Sequence, residues 1–252
     1  MNISAELQAI VDRHALKHSV SNAVHESDFI LQFLLNNPVF PSKEHAIQYY
    51  FSDGDNSARQ FIGLVSQFLD KRASEAQILE FASGYGCVSR HLKNARGYTF
   101  TACDIHPEAI NLIANKIGLN ALLSATEPEL FSPPQEFDVV FALSFFSHMP
   151  RATWGRWITS LLKAVRVGGL LIFTTHGRQS IKHFGEVTFD QNGYWFRADS
   201  EQKDLSTSDY GQTIVLPKYV INGLEKNSDA SLIFFQEAYW WGHQDTYVLR
   251  KR

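Results

Sequence analysis

Two acids and a run of small residues carry the first readable chemistry of this chain. In Ile78-Leu79-Glu80-Phe81-Ala82-Ser83-Gly84-Tyr85-Gly86 an apolar run ends in an acid, and residues with little or no side chain follow at Ala82, Gly84 and Gly86. Such residues let a backbone turn approach a bound molecule closely. Cys87-Val88-Ser89-Arg90-His91-Leu92 then reads as a helix. Strand, tight turn and helix start together bare the backbone at the carboxyl end of a parallel strand, where open α/β sheets bind their ligands. Glu80 narrows the ligand. A carboxylate there pairs with a cation or accepts from hydroxyls, and it repels a pyrophosphate. Ser89 stands where a Gly-x-Gly-x-x-Gly dinucleotide turn has its third glycine. Asp104 ends the next apolar run, Thr101-Ala102-Cys103-Asp104. An acid at that place accepts both hydroxyls of an adenosine ribose. The competing reading is a cap for the helix that begins near Pro107.

These residues need a scaffold, and from residue 78 the pattern alternates. Apolar strands are expected at Gln77–Phe81, Tyr98–Cys103, Asn120–Ser124, Phe137–Leu143 and Leu170–Thr174, with helices at Val88–Asn94, Pro107–Lys116 and Thr153–Val165. Alternation of this kind means right-handed crossovers and a mostly parallel, doubly wound sheet of Rossmann-like α/β class. Residues 3–36 read as helical, and Ser57 to Leu69 as a second amphipathic helix. After Thr175 the alternation stops. A polar and aromatic insert, 178–216, carries a hairpin signal at Asp190-Gln191-Asn192-Gly193, and Pro217 starts a short helix. Two strands, Ser231–Tyr239 and Asp245–Leu249, are joined too tightly for a crossover and pair antiparallel. The expected organisation is an N-terminal helical extension over 1–54 and a single domain over 55–252.

Composition removes several classes. The 252 residues are 44% apolar with a net charge of −3, so no basic field argues for nucleic acid. A chain this long needs no metal or disulfide staple. Cys87 and Cys103 read as reduced core residues, which suits a cytoplasmic location. No apolar run nears the roughly 18 residues of a membrane span, and the first residues do not form a secretory signal.

The acid, the small-x-Gly-x-Gly turn and the second strand-end acid resemble the class I S-adenosylmethionine-dependent methyltransferases. The resemblance covers roughly residues 45–177 and the two terminal strands. It extends to Glu136-Phe137-Asp138-Val139-Val140 and to Val167-Gly168-Gly169-Leu170-Leu171-Ile172-Phe173. Phe81 through Leu92, Leu143-Ser144-Phe145-Phe146-Ser147-His148-Met149-Pro150, Phe173-Thr174-Thr175-His176-Gly177-Arg178 and His243-Gln244-Asp245 look like a bacterial subgroup whose members are often associated with glycan genes. The resemblance implies a sheet of strand order 3-2-1-4-5-7-6 with an antiparallel last strand, and S-adenosylmethionine as cofactor. It implies that the backbone at Ala82, Ser83, Gly84 and Gly86 holds the methionine part, and that Glu80 orients its amino group. Asp104 then takes the ribose and Ile105 flanks the adenine. Ala125 and Thr126 stand where the family has an acid, so adenine recognition there falls to backbone groups or the Thr126 hydroxyl. Tyr50, Gly54 and Leu143 are further candidates around the cofactor.

The acceptor is expected to be a hydroxyl of a small molecule or glycan. Its proton has to go to a base, which a histidine of ordinary pKa about 6.5 can be. His148, just past the fourth strand, is the first candidate and His176, just past the fifth, the second; each has a structural reading as a loop-bonding histidine. The fourth-strand loop lacks the Asn/Asp-Pro-Pro-aromatic run of adenine and glutamine N-methylation. Phe145 and Phe146 read equally as pocket lining or core. The His243–Asp245 pair has too few ligands to argue a metal, and none is expected. The aromatic insert suits a substrate lid, a satellite core or the face of a homodimer. The alternatives are a nicotinamide-dependent oxidoreductase and a non-catalytic cofactor-binding module. The first is opposed by Ser89 and Glu80, the second by the intact acid–glycine–acid set.

Overall fold

Burial on both faces decides where the central strands lie. The structure, a computed structural model, describes residues 3–69, 76–200, 202, 204–225 and 229–252. It divides into two units, Met1–Ser124 and Ala125–Arg252.

The first unit opens with three helices, α1 (Ala5–His18), α2 (Phe29–Asn36) and α3 (Lys43–Phe68). Each starts on a side-chain cap: Ser4 accepts from the Leu7 N–H, Asp28 from Leu31 and Ser42 from His45. Leu7, Val11 and Ala15 of α1 share one core with Leu31 and Leu34 of α2 and Ile47, Tyr50 and Phe51 of α3. The helical reading of 3–36 is interrupted. Ser19 adopts a left-handed conformation, φ 56°, and its N–H closes α1 on the Ala15 and Leu16 carbonyls. The expected helix at Ser57–Leu69 is the second half of α3. Ser52-Asp53-Gly54-Asp55-Asn56 reads as a breaker, but burial of Ile47, Tyr50 and Phe51 outweighs its weak propensity. The expected boundary at 54/55 falls inside this helix.

Next come β1 (Ala76–Phe81), α4 (Ser89–Leu92), β2 (Tyr98–Asp104), α5 (Pro107–Leu112) and β3 (Asn120–Leu123). The strands are parallel in the order β3-β2-β1. Ile78, Leu79, Glu80 and Phe81 are all buried, the near-continuous pattern of a strand covered on both faces. Glu80 pairs with Ala102 and Phe81 with Cys103, so β1 and β2 finish almost level.

The second unit contains β4 (Phe137–Ala142), α6 (Arg151–Lys163), β5 (Val165–His176), β6 (Tyr194–Arg197), β7 (Gln212–Val215), α7 (Pro217–Glu225), β8 (Ala230–Trp240) and β9 (Gln244–Lys251). β4 lies parallel to β5, β9 antiparallel to β5, and β8 antiparallel to β9. The strand series 3-2-1 and 4-5-7-6 of the expected order are both present, β8 and β9 being its sixth and seventh strands. Asp190-Gln191-Asn192-Gly193 is a turn, with the Gly193 N–H on the Asp190 carbonyl, but it leads into β6 and does not join two paired strands. The partner of β6 is β7, antiparallel, reached through residues 198–211. β7 extends the end of β5 through the His176–Ile214 pair. Among the described residues no helix is long and apolar enough to cross a membrane.

Candidate active site

Three left-handed residues shape the turn after β1: Ala82 at φ 58°, Gly84 at 55° and Gly86 at 78°. Only glycine enters that region freely, and an alanine there stores on the order of 1 kcal/mol or more. The two glycines do different work. A Cβ on Gly86 would lie 2.6 Å from Ile117 Cδ1, so this glycine lets the following segment pack. A Cβ on Gly84 would meet nothing within 4 Å, so backbone faces open space there. Asp104 ties the two strand ends together. Its Oδ2 accepts the Gly84 N–H at 2.7 Å, and its Oδ1 accepts the His106 N–H at 3.0 Å and lies 2.6 Å from His106 Nδ1. Asp104 therefore forms a local turn and supports the glycine backbone, and α5 starts without a side-chain cap. Ile105, next in the chain, is half-buried.

Glu80 is 4% exposed and lies beneath this turn. Burial drives its carboxyl up to about 7; a hydrogen bond from Ser89 works against that shift and the Asp104 charge adds to it. The Ser89 hydroxyl donates to Glu80 Oε2 at 2.5 Å. That bond gives a reason for serine at the third-glycine position. The result is a buried acid close to neutrality, poised to ionise fully against an incoming cation.

Arg90 is the principal residue that the sequence reading missed. It is 1% exposed, and its guanidinium donates to the carbonyls of Gly86 (2.9 Å), Ser21 (3.0 Å), Ala23 (3.0 Å) and Tyr85 (3.3 Å) and to the Tyr50 hydroxyl (3.1 Å). Tyr50 in turn donates to Asp28 Oδ2 at 2.7 Å. Ala23 packs against Tyr85, Ala109 and Leu112, and the His25 ring stacks on Tyr85 at 5.1 Å. Residues 21–28 thus form a strap fastened to the glycine turn through Arg90. Tyr50 is wholly buried in this network. Gly54 packs against the turn's far end, where a Cβ would lie 2.4 Å from the Cys87 carbonyl. The sequence signal for Arg90 was slight, one charge between Val88 and Leu92 in an otherwise apolar helix start.

In the second unit the chain leaves β4 through half-buried Leu143 and left-handed Ser144, φ 58°. A closed set of hydrogen bonds fixes that turn. The Ser144 N–H donates to Thr174 Oγ1 (2.8 Å), Thr174 donates to Gln244 Oε1 (2.6 Å), and Gln244 Nε2 donates back to Ser144 Oγ (2.9 Å). Gln244 was quoted in the sequence without a role, and this is its role. His148 stands four residues on. Its Nδ1 donates to the Gly211 carbonyl at 2.8 Å, and its ring stacks on Tyr210 at 4.3 Å and 7°. A carbonyl only accepts, so in the neutral ring the proton is on Nδ1 and the basic lone pair on Nε2. The insert is bound to this loop by the Thr213 N–H on the Ser147 carbonyl and the Thr213 hydroxyl on the Met149 carbonyl.

His176 ends β5, buried, with its ring 6.3 Å from that of His148 and 4.9 Å from Phe184. Burial holds its imidazole well below 6.5, with His148 and His243 adding to the effect. Phe145 and Phe146 pack on Trp157 and Trp154 and are core. His243 Nδ1 lies 3.2 Å from the Ser180 hydroxyl. Asp245 accepts the Ala238 N–H at 2.9 Å, and burial pushes its carboxyl up to about 6. Ala125 is half-buried and Thr126 exposed.

A family model described as a methyltransferase domain matches residues 79–171, from the strand that carries Glu80 to the middle of β5. No curated protein matches the chain. Solved structures share the fold at low identity. A S-adenosylmethionine-dependent methyltransferase from Clostridium acetobutylicum is 13% identical with a TM-score of 0.56, over 80% of this chain and 92% of that one. The glycopeptide N-methyltransferase MtfA, complexed with S-adenosylmethionine, is 13% identical with a TM-score of 0.57, over 79% and 95%. The PH0226 protein of Pyrococcus horikoshii is 12% identical with a TM-score of 0.55, over 81% and 95%.

Proposed function

We propose that the chain is a class I S-adenosylmethionine-dependent methyltransferase and that it methylates a hydroxyl of a small molecule or glycan. The observation that carries the donor is the pairing of open backbone at Gly84 with two acids of opposite duty. Glu80, buried and close to neutrality, answers the α-ammonium of the methionine part. Asp104 already holds the Gly84 N–H and has lone pairs left for the ribose hydroxyls. The backbone of Ala82, Ser83, Gly84 and Gly86 would hold the methionine part, and Ile105 would flank the adenine. Tyr50 and Gly54 act by shaping the turn. When bound, S-adenosylmethionine supplies a methyl group on a positive sulfur, a good leaving group.

The protein's remaining work is orientation and proton removal. Orientation of reacting groups is worth several kcal/mol. His148 is favoured as the base because the Gly211 carbonyl sets its tautomer, with the lone pair on Nε2. His176 is held well below 6.5 by burial and takes up a proton poorly; its place is to orient the segment around His148. The related glycopeptide enzyme methylates nitrogen, so the acceptor panel has to contain both amines and alcohols. The test is product formation from labelled S-adenosylmethionine with that panel, in wild type and His148→Gln. The proposal expects transfer to an alcohol. It also expects turnover at least about 100-fold lower in the variant, the usual share of a general base, with donor affinity unchanged. Transfer to amines alone, or unchanged turnover, rejects it.

A further inference from the structure

Away from the glycine turn, three side chains of the first unit meet from three helices. His18 is the last residue of α1, Asp55 lies in the middle of α3 and His91 belongs to α4. One ligand atom from each lies within 4.8 Å of the others. His18 Nδ1 is 3.7 Å from Asp55 Oδ2, and His91 Nδ1 is 3.8 Å from Asp55 Oδ1. These separations are too long for hydrogen bonds. They are close to the edge of a tetrahedron with metal–ligand bonds of about 2.0–2.1 Å, which is roughly 3.3 Å.

A structural histidine normally gives its N–H to a carbonyl or a carboxylate. Neither ring does so here. His18 Nε2 and His91 Nε2 are both buried without a hydrogen-bond partner, and each Nδ1 stops short of Asp55. Neutral imidazole is the form that binds a metal ion. A ring bound through Nδ1 carries its proton on Nε2, so the vacant Nδ1 lone pairs and the carboxylate face one another.

We propose that His18, Asp55 and His91 form a binding site for a divalent cation of zinc type, completed by water. Two imidazoles and one carboxylate suit that ion better than magnesium or calcium, which prefer all-oxygen sets. Arg59 is the competitor. Its Nη2 lies 2.6 Å from Asp55 Oδ2 and its Nε 3.2 Å from Oδ1. Its side chain is 75% exposed, and an exposed pair of this kind is weak, so a cation can displace it to solvent. The bound ion would join α1 to α4 immediately before the strap of residues 21–28. Its role would then be to brace the strap over the glycine turn. This inference does not depend on the methyl donor.

The experiment is calorimetric titration of the full chain with Zn²⁺, backed by the visible spectrum of the Co²⁺-loaded protein. Wild type is expected to take up one ion at micromolar affinity or tighter. Asp55→Asn and the double variant His18→Gln/His91→Gln are expected to lose at least about tenfold in affinity, ~1.4 kcal/mol. Arg59→Gln is expected to bind several-fold tighter. The control His183→Gln/His243→Gln, at a pair of rings 5.1 Å apart in the second unit, is expected to bind as wild type does. Asp55→Asn keeps both rings, so it serves if the double variant does not fold. No uptake by wild type, uptake undiminished by Asp55→Asn, or loss in the control alone overturns the site.

Discussion

Replacing Glu80 by glutamine separates burial from charge at the cofactor turn. The Glu80 carboxyl is raised from 4.5 to about 7, chiefly by burial. At ~1.36 kcal/mol per pH unit, the ionised form is disfavoured in the folded protein by up to about 3 kcal/mol. The folded value lies above the unfolded one. Wild-type stability is therefore intact below about pH 4.5, falls as pH rises toward 7, and carries the full penalty above it. Glutamine keeps the shape, accepts from Ser89 as the acid does, and does not ionise. Glu80→Gln should therefore lie within about 1 kcal/mol of wild type near pH 5 and exceed it by up to about 3 kcal/mol at pH 8. For a chain of this length that is up to roughly 6–12 °C in Tm. The assay is thermal or urea unfolding of both proteins, without cofactor, from pH 5 to 8. The same variant should bind S-adenosylmethionine at least about tenfold more weakly at pH 8, where the α-ammonium has lost its countercharge. In wild type, affinity should rise from pH 6 to 8. Parallel stability curves for the two proteins across this range would refute the reasoning.

Three further outcomes test other parts of the account. Gly54→Ala sets a Cβ 2.4 Å from the Cys87 carbonyl; overpacking of about 3 kcal/mol less about 1 of helix propensity leaves a loss of about 2 kcal/mol, read as a Tm lower by roughly 4–8 °C. Arg90→Met strands the carbonyls of Ser21 and Ala23 and leaves Asp28 buried without its cation, so stability should fall by about 3–5 kcal/mol in urea unfolding. Gln244→Leu opens the bond set around Ser144, and turnover in the labelled transfer assay should fall.

The legible parts of the chain were those where one physical cause dominates. β1, β4 and β5 read correctly because strands buried on both faces must be apolar throughout, and Glu80 and Asp104 stood out as acids ending such runs. The irregular strap at 21–28 was hidden because Val20 and Val24 keep apolar residues at helical spacing while the chain has already left α1. The first half of α3 was hidden for the opposite reason. Its polar run around Gly54 looks like a breaker, and only its tight contact with the Cys87 carbonyl makes glycine the fitting residue. The Asn192–Gly193 turn was real, but pairing depends on a partner strand, and β7 lies across a long connection that no local signal announces. Arg90 has the same character: three of its five acceptors, on Ser21, Ala23 and Tyr50, lie far away in the chain, so no local signal shows that this charge is a buried tie.

The central claim is that the turn after β1 holds S-adenosylmethionine. Equilibrium binding of radiolabelled S-adenosylmethionine to the full chain, competed separately with S-adenosylhomocysteine and NADH, tests it most directly. The account predicts saturable binding, displaced by S-adenosylhomocysteine, indifferent to NADH and weakened by Asp104→Ala. Displacement by NADH, or no saturable binding at all, would contradict it.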